Sequence, residues 1–176
     1  MLLWHVGATT FLFRWIFRDP MVDLRFLALG AVLPNLIDTP LAVALGFPDD
    51  AYRLWAHSLL FPIVCMTLVM VLTRRGPGRK PWMALAVGLF FHLLLDRMWA
   101  LPETILWPFL GSTFTSMGVG DLAGLVGSAV TWWPVAAEIA GLVYLGLVWG
   151  WAPAEDRSAF QRTGVLRLGA PTAPPS

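Results

Sequence analysis

The chain has 176 residues, of which 57% are hydrophobic and 13% charged, a balance that excludes an ordinary soluble domain and points to a membrane protein. Its 12 Lys and Arg against 11 Asp and Glu leave no charge excess that would suit nucleic acid; the basic residues fall in short clusters between apolar runs, where they bear on topology. The single cysteine, Cys65, rules out a disulfide within the chain.

The first apolar run, MLLWHVGATTFLFRWIF over 1–17, has no basic residue ahead of it and no A-x-A-like cleavage site, so it reads as a retained helix. Residues 24–46, 54–73, 81–98 and 133–151 approach the roughly 20 apolar residues that a spanning helix needs. Pro34 and Pro40 flank Asp38 and predict a break in the second segment. Residues 100–131 are apolar but rich in Pro, Gly, Ser and Thr, which suits a re-entrant connection with a short helix toward 119–131. The expected fold is all-α, a polytopic transmembrane helix bundle of about five spans with a broken or re-entrant connection. One helical domain fills 1–153, and a disordered cytoplasmic tail follows over 154–176.

RRGPGRK at 74–80 is the densest basic cluster and orients the bundle with that loop in the cytoplasm. Arg14, Arg18 and Arg25, and in the tail Arg157, Arg162 and Arg167, then lie on the same side. Arg53 and Arg97 remain outside.

Ionisable residues interrupt these apolar runs, and such residues in hydrocarbon are costly and usually functional. At 1.5 Å per helical residue from the cytoplasmic ends, His57 lies roughly 25 Å up, His92 and Asp96 roughly 18 and 24 Å, Asp38 and Glu138 about 20 Å, and His5 about 18 Å. All fall in one slab of the outer half of the bilayer. His92 and Asp96 are four apart and share a helix face, within reach of one ion. Arg53 and His57 have the same spacing, which sets a guanidinium beside that ion for an anionic substrate group. Singly, each residue has a plainer role: His5 as interhelical glue, Asp38 as a helix cap, Glu138 as a packing residue or a partner of Arg97.

LGAVLPNLIDTPLAVALG, YRLWAHSLLF and FFHLLLDRMWALPETILWPFLG, in that order, resemble a family of membrane-bound metal-dependent hydrolases that includes the LexA-regulated inner-membrane proteins. That family shows a P-D-x-x-D-type element, an H-R-x-x-x-H-S element, and an H-x-x-x-D element followed by tryptophan and a proline-containing loop. The resemblance covers about residues 1–111. It implies that Asp38, His57, His92 and Asp96 are metal ligands and that Arg53 and Ser58 flank them. Asn35 stands where the family has its first aspartate, and Tyr52 where it has the first histidine; Asn35 can offer a metal only a neutral carbonyl oxygen.

The expected function is that of an integral membrane metal-dependent hydrolase acting on an ester or phosphoester of an amphipathic, lipid-like substrate. Zinc is the expected ion, with manganese or iron also compatible, on His57, His92, Asp96 and Asp38. Glu138 or Asp38 is the expected general base, Arg53, Ser58 and Asn35 are the substrate-binding candidates, and His5 is a further member of the group. The alternative is a catalytically degenerate member serving as a membrane structural or assembly subunit, for which Asn35 and Tyr52 speak. An ion or proton pathway ranks below both, because the cytoplasmic half of each segment is almost purely apolar. The expected partners are membrane lipid and, as an oligomer or larger membrane assembly, other chains; nucleic acid is not expected.

Overall fold

Two glycine pairs bring the main helices together at backbone distance. The computed structural model describes residues 1–47, 53–111, 114 and 132–167. Among these there are seven α-helices and no strand: α1 (Leu2–Phe17), α2 (Leu24–Leu45), α3 (Leu60–Leu72), α4 (Arg79–Leu95), α5 (Pro102–Ile105), α6 (Trp133–Trp151) and α7 (Ala154–Thr163). Single 3-10 turns precede α3 at Trp55–His57 and follow α4 at Met98–Ala100. Helix α4 packs against α1, α2 and α3, while α1 also packs against α2 and α6.

The α2–α4 contact depends on Gly30 and Gly88. A Cβ on Gly30 would overlap the Leu85 carbonyl oxygen and lie 3.0 Å from Gly88 Cα, and one on Gly88 would overlap the Leu27 carbonyl oxygen. Gly7 and Gly141 do the same for α1 and α6, where a Cβ on Gly7 would lie 2.7 Å from Gly141 Cα. Small residues at such crossings are how membrane helices gain close packing when lipid removes the hydrophobic drive to associate.

The outward faces are apolar. Among the residues of α3 only Pro62 is buried, and Val71 and Leu72 are 75% and 76% exposed, more apolar surface than a water-soluble monomer ordinarily shows. Helices α2 and α6 are each long and apolar enough to cross a membrane, and α3 is apolar but shorter.

The structure departs from the sequence reading in two places. Helix α2 runs unbroken from Leu24 to Leu45 with Pro34 and Pro40 inside it; Pro34 is buried where α2 packs on its neighbours α4 and α1, and Pro40 is exposed. Of the segment 154–176 expected to be a disordered tail, residues 154–163 form α7, residues 154–167 fold back on the bundle, and 168–176 lie outside the described residues. Leu166 is buried, Gly164 O accepts the Leu24 amide at 2.8 Å, and the Leu166 carbonyl accepts Arg14 Nη2 at 2.6 Å. Arg25 joins Asp23, the N-cap of α2, to the Gln161 carbonyl, and Arg167 grips Asp156 with Nη2 at 2.6 Å from Oδ1. Most of the expected connection at 100–131, including 119–131, lies outside the described residues.

Helices α1 and α4 are followed by arginines in the left-handed region, Arg18 at φ 52° and Arg97 at φ 56°. Glycine is the ordinary occupant of that position, and a residue with a Cβ costs about 1 kcal/mol there.

Candidate metal centre

Four segments meet at the end of the bundle remote from the basic cluster: the first turns of α1, the second half of α2, the 3-10 turn before α3, and the last turn of α4. They bring together His5, Asp38, His57 and His92, all buried, with Asp96 next to them. The His5 and His92 rings stack at 4.4 Å between centroids, and His57 meets His92 edge-on at 5.1 Å.

Each imidazole has its Nδ1 committed to an oxygen. His92 Nδ1 donates to the Ala31 carbonyl at 2.6 Å, His57 Nδ1 to Asp38 Oδ2 at 2.7 Å, and His5 Nδ1 to the Met1 carbonyl. A carbonyl can only accept, so Nδ1 carries the proton in His5 and His92, and Asp38 Oδ2, which already accepts two backbone amides, imposes the same tautomer on His57. In the neutral rings all three Nε2 atoms are then bare lone pairs.

Those lone pairs converge. His57 Nε2 and His92 Nε2 are 3.2 Å apart, His5 Nε2 is 2.9 Å from Asp96 Oδ1, and Asp96 Oδ2 lies 3.6 Å from His57 Nε2 and 3.9 Å from His92 Nε2. The donor atoms of His5, His92 and Asp96 all lie within 4.8 Å of one another. Lone pairs packed this closely in a buried place require a cation among them, a proton or a metal ion. Bonds of 2.0–2.1 Å to tetrahedral zinc set its ligands about 3.3 Å apart, which the 3.2 Å His57–His92 separation matches, while the group of His5, His92 and Asp96 is looser. The Nδ1 hydrogen bonds are the outer support that orients metal-bound imidazoles.

The expected ligand set changes in two respects. Asp38 turns its carboxylate away from the Nε2 cluster: besides His57 Nδ1 it accepts the amides of Leu54 at 2.8 Å, Ala56 at 3.1 Å and His57 at 3.2 Å. It fixes the turn that carries His57, with Oδ2 taking three of these four bonds. His5 stands with His92 and Asp96 in the group that could hold an ion. Equal depth was the sequence signal for it, and the Met1 and Ala31 carbonyls that orient the rings carry no signal in side-chain identity.

The other candidates divide. Arg53 reaches the site, its Nε donating to Asp96 Oδ2 at 3.0 Å. Glu138, expected as a general base, accepts the Leu3 and Trp4 amides at 2.7 and 3.2 Å instead; it caps α1 and thereby positions the turn bearing His5. The Ser58 hydroxyl donates to the Trp55 carbonyl at 2.7 Å and helps close the 3-10 turn. Asn35 is half-buried on α2, three residues before Asp38, and its side chain makes no hydrogen bond among the described residues. Tyr52 lies outside the described residues.

Neither a curated protein nor a solved structure matches the chain. The family model described as YdjM inner membrane protein matches residues 2–159, nine-tenths of the sequence. The bundle with its outward apolar faces and buried polar cluster thus belongs to a member of the YdjM inner membrane protein family.

Proposed function

We propose that the protein is a multi-pass membrane hydrolase that holds one divalent ion, zinc by the chemistry of the donors, on His5, His57, His92 and Asp96. The observation that carries this reading is the approach of the His57 and His92 Nε2 lone pairs to 3.2 Å, with both Nδ1 protons committed elsewhere. When bound, such an ion supplies Lewis acidity toward water and toward a substrate oxygen. The chain's own residues do the rest. Asp38 and the Ala31 carbonyl hold two rings in the required tautomer, and Glu138 holds the turn that bears the third. Asp96 is the carboxylate that meets both the imidazoles and the open cleft above them, and would hold the ion from the side on which a substrate enters. Arg53 orients Asp96 by donating Nε–H to Oδ2.

The five apolar runs, each carrying a helix, support five spans with the basic 74–80 loop in the cytoplasm and the histidine cluster toward the outer leaflet. A substrate with an apolar body and a hydrolysable ester or phosphoester reaches such a site from the bilayer. Elemental analysis of the purified protein tests the reading: about one equivalent of metal is expected, removable by a chelator with a fall in melting temperature. Metal-free protein with a chelator-insensitive melt would replace the ion by shared protons and end the hydrolase reading.

The second reading, a degenerate member that keeps the bundle as an assembly subunit, is favoured by Asn35. It puts a neutral amide on α2 where the resembled family has a carboxylate.

A further inference from the structure

Above Asp96 a cleft of about 480 Å³ opens between α1, the end of α4 and the start of α6, within the size range of small-molecule sites. Its walls include Trp4, Trp99 and Trp133, of which Trp4 and Trp133 meet edge to face at 5.9 Å. Two guanidinium groups, Arg53 and Arg97, border it. Arg53 is tied to Asp96. Arg97 is exposed and its side chain has no hydrogen-bond or ion-pair partner among the described residues. It also occupies the left-handed position after α4, where glycine would sit without strain. A strained arginine whose guanidinium has no partner among the described residues, next to Asp96 in sequence and at the mouth of the cleft, is a reason to look for what it binds.

We propose that this cleft is the head-group subsite for an amphiphile that ends in a phosphate monoester, with Arg97 and Arg53 gripping the phosphate and the tryptophans lining the path of its apolar body. The proposal rests on the hydrolase reading for the fate of the ligand, but not for its binding. Two arginines approaching from different segments suit a phosphate, which has enough oxygens to accept from both while turning another toward the histidines. A carboxylate has too few. The wall is mainly apolar and aromatic, the character of the interfacial belt where lipid head groups lie, so the phosphate belongs to a lipid rather than to a free anion.

The test uses the full chain in nanodiscs of phosphatidylcholine with or without phosphatidic acid, and native mass spectrometry of retained lipid. The parent should retain phosphatidic acid over phosphatidylcholine, and Arg97→Gly should weaken that retention roughly ten- to a hundredfold, the loss expected for one charge-assisted hydrogen bond. Because glycine suits the backbone at this position, the variant should melt no lower than the parent and keep its metal content. Equal retention by parent and variant would overturn the subsite. Displacement of the lipid by inorganic phosphate at matching concentration would keep the phosphate grip and overturn the amphiphile. Metal-free protein that still retains phosphatidic acid through Arg97 would sink the hydrolase reading alone, and metal-loaded protein indifferent to the lipid would sink the subsite alone.

Discussion

His57 Nε2 and His92 Nε2 face one another at 3.2 Å across the junction of the α3 entry turn and α4, although the other nitrogen of each ring already donates to a fixed oxygen. Two neutral imidazoles repel in that arrangement, and an ion between them turns the repulsion into ligation. His57→Ala and His92→Ala should therefore each release the metal and lower stability by about 1–3 kcal/mol, the cost of leaving buried polar groups without partners. An ordinary hydrogen bond between membrane helices contributes on average about 0.6 kcal/mol. Metal content and thermal or denaturant unfolding in detergent separate the two. Small losses with metal retained would count against a shared ion.

Asp38 contacts the site only through His57. Asp38→Asn keeps one acceptor oxygen for the Leu54 and His57 amides, but sets an NH2 against the Ala56 amide and removes the charge behind the imidazole, so metal affinity should fall roughly ten- to a hundredfold without disappearing. Asp96→Ala should abolish binding. Competition with a chelating dye reads both, and complete loss of metal in Asp38→Asn would return Asp38 to the ligand set.

Gly30 and Gly88 bring α4 close enough for His92 to reach the Ala31 carbonyl. Gly88→Ala should force the helices apart, costing about 1–3 kcal/mol by overpacking and weakening metal binding along with the fold. Gly146→Ala is the control, since nothing lies within 4 Å of its added Cβ. Similar melting temperatures for the two variants would mean that the crossing is looser than the geometry requires.

Depth and helical spacing made the cluster legible in the sequence, because a polar side chain in an apolar run has few reasons to be there and helical rise fixes its height. His5, His57, His92 and Asp96 were readable on that basis. The backbone bonds of Asp38 and Glu138 were not, since they depend on the course of the chain at residues 54–57 and 3–4, which leaves no mark in the spacing of the carboxylates. Proline spacing suggested a break in α2 that packing against α4 and α1 overrides. The polar composition of 154–167 hid a docked segment, because its anchors are backbone carbonyls accepting from Arg14 and Arg25.

That docked segment gives a prediction in acid. The Arg167 guanidinium, against the opposing effect of burial, holds the Asp156 carboxyl below its ordinary value of 3.8. Burial raises Asp23, but the bonds from Arg25 outweigh it and leave that carboxyl depressed as well. For both groups the folded pKa lies below the unfolded one, so their contribution is complete above 3.8 and is lost as the pH falls through the depressed values. Hydrogen exchange over 154–167 should be flat between about pH 5 and 8, once corrected for intrinsic rates, and protection should collapse in stronger acid. In Asp156→Asn protection should already be reduced at neutral pH and should change less with acid. Full protection of the variant at neutral pH would show that Arg14 and Arg25 hold the segment without it.

Asn35 decides between the enzyme and the assembly subunit. It sits three residues before Asp38, on the same face of α2, at a half-buried position where a carboxylate can be accommodated. A neutral amide there can neither ligate as an anion nor take a proton. Asn35→Asp should therefore raise metal affinity and, with a phosphate-bearing lipid as substrate, raise hydrolysis above the parent level. The comparison requires metal-loaded preparations, so that a change in rate is not a change in occupancy. A parent that already turns over, with a variant no faster, would remove the case for degeneracy. Two metal-loaded proteins that both leave the lipid intact would instead give the bundle a structural role, with the ion serving as a cross-link between α1, α4 and the entry to α3.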